Sequence, residues 1–157
     1  MPCTPLSVRH RSGGFSAIEL MTTLVLVGIL ASLATPALNE YVDRTRTRRA
    51  LDRVVSDVSY ARMLAVQRGA PAAILLREGG VYTVESRNTD GTWEIVRTVP
   101  LREEFGDVTF TGAPAMLEFN SRGLVTNLGT DSYIKIARAG ARDSIFVSPA
   151  GRVYRDF

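Results

Sequence analysis

The chain has 157 residues and a net charge of +3, enough for one modest domain beside a long helix but not for two independent cores. Its only histidine, His10, and its only cysteine, Cys3, both lie within the first fourteen residues. The rest of the chain therefore has no imidazole base and no thiol nucleophile, and it cannot form a disulfide. We expect a protein that is not an enzyme and that holds no cofactor and no metal.

The first element in the chain is a long apolar segment. Residues 20–39 lie between Glu19 and Glu40, and none of them carries a charge. A helix that rises about 1.5 Å per residue spans about 30 Å over this length, which is the thickness of the hydrocarbon core of a bilayer. The segment is apolar on all sides and contains small residues. It therefore predicts a helix that lies in lipid or packs against helices of its own kind.

Glu19 places a carboxylate near the start of this helix, and two interpretations of it remain open. Ser16 and Glu19 have the spacing of a capping box, and the helix dipole also favours an acid in the first turn. Alternatively, a charge that enters a membrane costs about 2.5–3.5 kcal/mol at the helix centre and requires a cationic partner. Cleavage after Gly14 would provide one, the new α-amino group of Phe15, on the same chain or on a neighbouring copy. Both interpretations can hold at once.

The residues around Glu19 carry a family resemblance. Residues 14–20 read Gly-Phe-Ser-Ala-Ile-Glu-Leu, and an apolar helix with Gly28 and Pro36 follows. This order resembles the N-terminus of type IV prepilins and type II secretion pseudopilins, and the resemblance runs from Gly14 to about Tyr41. One departure is at positions 16 and 17, where Ser-Ala stands in place of the commoner Thr-Leu. An ordinary secretory signal peptide, cleaved at the small residues 31–34, is the alternative that the Gly14–Glu19 pattern argues against.

The resemblance implies a specific processing and assembly pathway. A prepilin peptidase would cut after Gly14 and methylate the new N-terminus at Phe15, and Glu19 would guide the packing of subunits into a filament. The implied partners are other pilin or pseudopilin subunits, the prepilin peptidase and the lipid of the bacterial inner membrane. The implied location is a single pass through that membrane with the head in the periplasm, followed by incorporation into a pilus or pseudopilus.

The charges on either side of the apolar segment conflict with this topology. Five arginines follow the segment between residues 44 and 53, whereas only two precede it. The positive-inside rule alone would place the C-terminal side in the cytoplasm. We follow the resemblance, which implies a cytoplasmic N-terminus. We expect the five arginines to form a solvated or headgroup-facing helix surface rather than a dedicated binding patch.

An apolar stripe extends the helix beyond Pro36. Its members recur at three- and four-residue spacing: Leu51, Val54, Val55, Val58, Ala61, Leu64 and Ala65. The pattern predicts a helix from about Ser16 to Gln67, ended by Gly69 and Pro71. The predicted layout is a leader at 1–14, a transmembrane and polymerisation helix at 15–39, an amphipathic helix half at 40–69 and a β-rich head at 70–157.

From Ala72 onward the hydrophobic period changes to two, which predicts strands. Eight short strands are predicted, at 73–77, 81–85, 92–97, 108–111, 116–119, 133–137, 144–148 and 152–154. The first two form a hairpin through Gly79 and Gly80, and the acidic residues between 103 and 107 form a charged turn. We therefore expect an α+β fold in which the long helix packs on an antiparallel β-sheet or small β-sandwich.

The last third of the chain resembles the head of GspH/FimT-type pseudopilins. The resemblance covers about residues 117–154 and rests on the segments 117–123, 134–136, 145–147 and 151–153. Together with the N-terminus, it implies a minor pseudopilin subunit of a type II secretion pseudopilus or type IV pilus, which is the function we favour.

A second function, DNA binding during uptake, remains the alternative. DNA-binding members of the FimT branch carry a C-terminal Gly-Arg-x-Arg motif, and residues 151–155 here read Gly-Arg-Val-Tyr-Arg, with one more residue between the arginines. In a regular strand Arg152 and Arg155 would point to opposite faces, which weakens this alternative. Arg138 and Arg142 lie on a neighbouring hairpin, so the possible DNA contacts are Arg138, Arg142, Arg152 and Arg155.

Overall fold

The structure is a computed structural model that describes residues 15–77, 79–127 and 133–156. Its elements are α1 (Ala17–Arg68), β1 (Ala72–Arg77), β2 (Val81–Arg87), β3 (Trp93–Pro100), α2 (Leu101–Phe105), β4 (Thr109–Gly112), β5 (Met116–Phe119), β6 (Tyr133–Arg138), β7 (Ala141–Val147) and β8 (Val153–Asp156). The chain divides into two compact units, one up to Leu38 and one from Asn39 onward. The predicted α+β class, with one long helix and antiparallel strands, is confirmed.

The first unit contains the apolar part of α1. Among the described residues, α1 is the one helix that is long and apolar enough to cross a membrane. At its start the Leu20 backbone N–H donates to the Ser16 carbonyl at 3.1 Å. The hydroxyls of Thr22 and Thr23 donate to the Glu19 carbonyl at 3.0 and 2.9 Å. The reciprocal side-chain bonds of a Ser16–Glu19 capping box are not among the contacts of the described residues.

The second unit contains two antiparallel four-stranded sheets. The first sheet has the strand order β3-β2-β1-β5, and the second has the order β4-β6-β7-β8. The β1–β2 hairpin predicted from Gly79 and Gly80 is confirmed, with Ile74 opposite Val84. Ile74 also lies opposite Leu117 of β5, so β5 joins the first sheet although β4, immediately before it in the chain, belongs to the second.

One hydrophobic core joins the second half of α1 to both sheets. The predicted stripe on α1 faces this core: Leu51, Val54, Val58, Ala61, Leu64 and Ala65 are buried, and Val55 is partly buried against it. The sheets contribute alternate residues such as Ile74 and Val84 of the first and Ile134, Ile136 and Ile145 of the second. Each fully buried aliphatic side chain contributes about 1.5–3 kcal/mol, so packing against the sheets stabilises this half of the helix.

The charged turn predicted between residues 103 and 107 is wrong in part, because a short helix precedes the turn. Residues 101–105 form α2, which begins with the fully buried Leu101. Phe105 packs against the core at the other end of the helix, so two apolar anchors four residues apart favour a helical turn. The turn itself follows at Gly106 and Asp107, both of which have positive φ.

Candidate functional site

The residues predicted to control processing and assembly lie at the start of α1. Gly14 lies outside the described residues, and Phe15 is 82% exposed. Glu19 is exposed as well, and it is followed by a helix surface whose large apolar side chains are also exposed: Leu20, Met21, Leu24, Val25, Leu26, Val27, Ile29, Leu30 and Leu38. An apolar surface of this extent marks a contact with lipid or with other proteins.

A buried carboxylate attaches the helix to the first sheet. Asp57 of α1 is only 1% exposed, and its two oxygens accept hydrogen bonds from two side chains and form an ion pair with a third. The Tyr82 hydroxyl donates to Oδ2 at 2.6 Å, and an Arg97 guanidinium nitrogen donates to Oδ1. Arg53 Nε lies 3.3 Å from Oδ2. Burial raises the pKa of the Tyr82 hydroxyl, and the neighbouring Asp57 carboxylate raises it further.

A signal for this buried carboxylate is present in the sequence, although Asp57 was not among the predicted sites. Asp57 lies three residues after Val54 and four before Ala61, so its position falls on the buried stripe of α1. An acid on such a stripe is buried and requires hydrogen-bond donors. The partners could not be read from the pattern, since Tyr82 and Arg97 are 25 and 40 residues away in the chain.

Two of the four arginines suggested as DNA contacts are bonded to α1 instead. Arg138, at the end of β6, forms an ion pair with Asp43 of α1 and donates to the Gly106 carbonyl. Arg155, on β8, lies opposite the buried Ile145, so both side chains face α1. Its Nη2 is 2.7 Å from Oδ1 of Asp52. These two guanidinium groups fasten the second sheet to the helix.

The other two arginines, Arg142 and Arg152, are exposed but do not lie together. Arg142 is on β7. Arg152 lies in the turn before β8, which begins at Val153, and its backbone N–H donates to Ser148 Oγ at 3.1 Å. The strand that was predicted to begin at Arg152 thus begins one residue later. Arg142 and Arg155 line one concave surface, described below, whereas Arg152 is not among its lining residues.

A further arginine, Arg62 of α1, underlies the turn that holds Arg152. Its Nε donates to the Gly123 carbonyl at 3.2 Å. Gly151 has φ +68°, and a Cβ added there would lie 2.8 Å from the Gly123 carbonyl oxygen and 3.0 Å from Arg62 Cδ. The Val125 backbone N–H joins the two turns by donating to the Pro149 carbonyl. Glycine at 151 is therefore required by both the backbone conformation and the close approach.

A concave surface, which we call the arginine groove, lies between α1 and the β6–β7 turn. Its volume is about 980 Å³, and its lining residues are Glu40, Asp43, Arg44, Thr47, Arg48, Ala139, Gly140, Ala141, Arg142, Asp143 and Arg155. The arginines and the acids that line it are exposed or half-buried. The described residues hold no group of three or more acidic, histidine or cysteine side chains suited to a metal ion. The groove therefore offers guanidinium groups, which bind anions.

The charges of this groove are only partly neutralised by one another. Glu40 is paired with Arg44. Asp43 is paired with Arg138, and Asp143 lies 3.8 Å from Arg155. Within the part of the chain that the structure describes, neither Arg48 nor Arg142 has an acidic group at ion-pair distance.

Comparison with known families and curated proteins relates the chain to type II transport and type IV fimbrial proteins. The model of the family "Type II transport protein GspH" matches residues 50–151. A fimbrial protein of Pseudomonas aeruginosa is 42% identical over 62 residues, which are 40% of this chain and 34% of that protein. This match thus spans only about a third of that relative's length. The type IV major fimbrial protein FimA of Dichelobacter nodosus is 24% identical over 136 residues, covering 78% of this chain and 85% of FimA.

Two solved structures share the fold. The type IV minor pilin FimU of Pseudomonas aeruginosa superposes with a TM-score of 0.55 at 17% identity, covering 74% of this chain and 92% of FimU. The minor pseudopilin EpsH from the type 2 secretion system of Vibrio cholerae has a TM-score of 0.55 at 16% identity, covering 71% of this chain and 96% of EpsH. At these identities the likeness concerns the fold alone.

Proposed function

Because this chain belongs to the type II transport protein GspH family, we propose that it is a minor subunit of a pseudopilus or type IV pilus. The observation that carries the proposal is the exposed apolar surface of α1 up to Leu38, in a chain whose head is packed as a separate unit. A surface of this kind is stable only in lipid or against like helices. Lipid would cover this apolar surface of α1 in the membrane, and the helices of neighbouring subunits would cover it in the filament.

Processing would connect these two states. In this proposal the prepilin peptidase cuts after Gly14 and methylates Phe15, and the anchor remains in the inner membrane with the head in the periplasm. The exposed Glu19 carboxylate then pairs with the α-amino group of a neighbouring subunit's Phe15. An ion pair at this depth is favoured because an unpaired carboxylate in lipid is costly.

Hydrogen bonds and ion pairs fix the second half of α1 to both sheets of the head. Asp57 holds the first sheet, while Asp43 and Asp52 hold the second. Asp57 is buried, the Asp43–Arg138 pair is half-buried and Asp52 is exposed, and all three attachments add to a continuous apolar core. In this proposal, the part of α1 from Asn39 onward moves together with the sheets during assembly.

DNA uptake has less support as the main function. Arg138 and Arg155 already have acidic partners on α1. Arg152 is not among the residues that line the arginine groove, whereas Arg142 is. Only Arg142 and Arg152 remain as exposed candidates among the four, and duplex binding draws its affinity from several phosphate contacts together.

The test of the assembly proposal is the incorporation of Glu19→Ala into filaments. Pili or overproduced pseudopili are sheared from cells that express the full chain, and the subunit is measured in the sheared and membrane fractions. Glu19→Ala should remain at its normal level in the membrane but be lost from the sheared fraction. Glu103→Ala, which removes an exposed acid from α2, serves as the matched control and should be incorporated normally. Normal incorporation of Glu19→Ala would contradict the proposed role.

A strain that lacks the protein distinguishes the two systems. Loss of protein secretion with normal surface pili would assign the subunit to a type II secretion pseudopilus. Loss of surface pili with normal secretion would assign it to a type IV pilus. Both phenotypes are restored only by a chain that can be processed and assembled.

A further inference from the structure

We propose that the arginine groove binds the phosphate of an anionic lipid headgroup at the surface of the membrane that anchors the chain. The inference rests on the proposed function, because it requires the apolar segment to lie in a bilayer. It adds a ligand site on the head that is separate from the helix surface used for polymerisation.

The groove has two arginines whose charge is not neutralised by an acidic group in the described ranges. Each acid that lines the groove has an arginine close by, namely Arg44, Arg138 and Arg155. The guanidinium groups of Arg48 and Arg142 are left without an acidic partner in the described ranges, and both side chains are exposed. A guanidinium presents several N–H donors in a planar fork, which matches the oxygens of a phosphate.

The tertiary structure brings these two arginines to one concave surface. Arg48 is on α1 and Arg142 is on β7, and they line the same groove of about 980 Å³ although they are far apart in the chain. A groove of this size admits a headgroup, and small ligands typically occupy cavities of about 300–1,000 Å³.

The position of the groove in the chain favours a lipid as the source of the phosphate. Arg44 and Arg48 follow Asn39, the last residue of the charge-free segment, by five and nine residues. A chain reaches at most about 3.6 Å per residue, so Arg44 stays within about 18 Å of the end of that segment in any conformation. Arginines held this close to an anionic membrane surface are attracted to its headgroups.

Duplex DNA fits the groove less well. Its affinity depends on many phosphates spaced along a rod and on a correspondingly long basic surface. In the groove the acidic groups of Glu40, Asp43 and Asp143 interrupt such a surface. A single phosphate between Arg48 and Arg142 avoids most of this repulsion.

The inference is tested with the full chain in neutral detergent that contains equal amounts of phosphatidylglycerol and phosphatidylcholine. Native mass spectrometry measures the fraction of protein ions that retain each lipid. The wild-type chain should retain phosphatidylglycerol in preference to phosphatidylcholine. The Arg48→Gln, Arg142→Gln double variant should lose this preference. The ratio of retained phosphatidylglycerol to retained phosphatidylcholine should fall about fivefold for each arginine removed.

A matched variant controls for net charge. Arg122→Gln together with Arg152→Gln removes two exposed arginines from the turns near Arg62, outside the groove. It should retain phosphatidylglycerol as the wild type does. An equal loss in both double variants, or no preference in the wild type, would overturn the inference.

Two further arms separate the sources of phosphate. Displacement of the lipid by millimolar sodium phosphate would make a soluble phosphate the ligand and overturn the lipid assignment. DNA would be the ligand if the wild-type chain showed no lipid preference but shifted a short DNA duplex, and if the groove variant lost that shift. This result would also overturn the lipid assignment. Incorporation of the wild-type chain into filaments is measured in parallel. If the chain is not incorporated, the proposed function is wrong. If it is incorporated but does not retain phosphatidylglycerol, only the inference about the groove is wrong.

Discussion

The Tyr82 hydroxyl donates a hydrogen bond of 2.6 Å to Oδ2 of Asp57, joining the second strand of the head to a buried carboxylate on α1. Both residues are almost fully enclosed, and the partly exposed Arg53 and Arg97 form ion pairs with the same carboxylate. The bond lies inside the contact between α1 and the first sheet. The stability of that contact should therefore depend on the protonation of Tyr82.

Tyr82→Phe should lower stability at neutral pH and reduce its dependence on alkaline pH. The lost bond to a carboxylate is worth about 1.5–3 kcal/mol. Because burial raises the pKa of Tyr82 above its ordinary value of 10.0, the unfolded chain releases this proton first as the pH rises. The stability that Tyr82 contributes is thus complete below pH 10 and decreases above it. Urea unfolding between pH 7 and pH 11, followed by fluorescence of the single tryptophan, Trp93, should show a shallower alkaline decline in the variant.

Asp57→Ala should destabilise the head more than Tyr82→Phe does. It leaves the Tyr82 hydroxyl buried without its acceptor and removes the anion between Arg53 and Arg97. Removing one member of a buried ion pair costs about 3–5 kcal/mol, and the partly exposed arginines place this case near the lower limit. Urea unfolding at pH 7 provides the measurement. Glu94→Ala, which removes an exposed acid paired with Arg68, should change stability by less than about 1 kcal/mol.

Gly151→Ala should be destabilising because the new methyl group has no space. It would lie 2.8 Å from the Gly123 carbonyl oxygen, and the backbone at φ +68° is itself unfavourable for alanine. Gly69→Ala is the matched control, since it has φ +61° and nothing within 4 Å of its added Cβ. We expect about 1–2 kcal/mol for Gly69→Ala from the backbone alone and a larger loss for Gly151→Ala. Equal losses in thermal or urea unfolding would show that the turn at Gly151 moves freely away from Gly123.

Gly14→Val should leave the uncut precursor in the membrane, because the peptidase would no longer accept the residue before the cut. N-terminal sequencing and intact mass of the wild-type protein should show a chain that begins at N-methylated Phe15. Gly13→Val, one residue earlier, is the control and should still be cut. Residues 1–14 found attached to the wild-type chain in cells with active peptidase would argue against the proposed pathway.

DNA binding by the exposed arginines can be measured separately. If the head binds duplex DNA, Arg142→Ala and Arg152→Ala should weaken a mobility shift of the full chain in neutral detergent. The apparent affinity should fall by about 0.9 log unit per log unit of salt for each phosphate neutralised. Arg138→Ala and Arg155→Ala should destabilise the head instead, because each breaks an ion pair with α1. Micromolar binding that is lost in Arg152→Ala would favour the DNA-uptake function over the structural one.

Local patterns were sufficient to predict most secondary structure of the described residues. The stripe on α1 and the alternation in the strands reflect side-chain periods of 3.6 and 2, and these periods are visible in any short window of sequence. The hairpin through Gly79 and Gly80 could also be predicted from a short window, because glycine permits the positive φ that both residues adopt. The short helix α2 was missed because its stability comes from burial of Leu101 and Phe105 against distant parts of the chain.

The candidate site depended far more on tertiary structure. The N-terminal pattern around Gly14 and Glu19 and the charge-free length of residues 20–39 were complete in the sequence, because they concern consecutive residues. The contacts that the arginine side chains make could not be predicted from the sequence. Arg155 meets Asp52, 103 residues earlier in the chain, and the face it occupies was set only by the pairing of β8 with β7. An ion pair depends on a distance of a few ångströms between side chains, and only the packing of α1 against the second sheet determines which arginines are paired and which stay exposed.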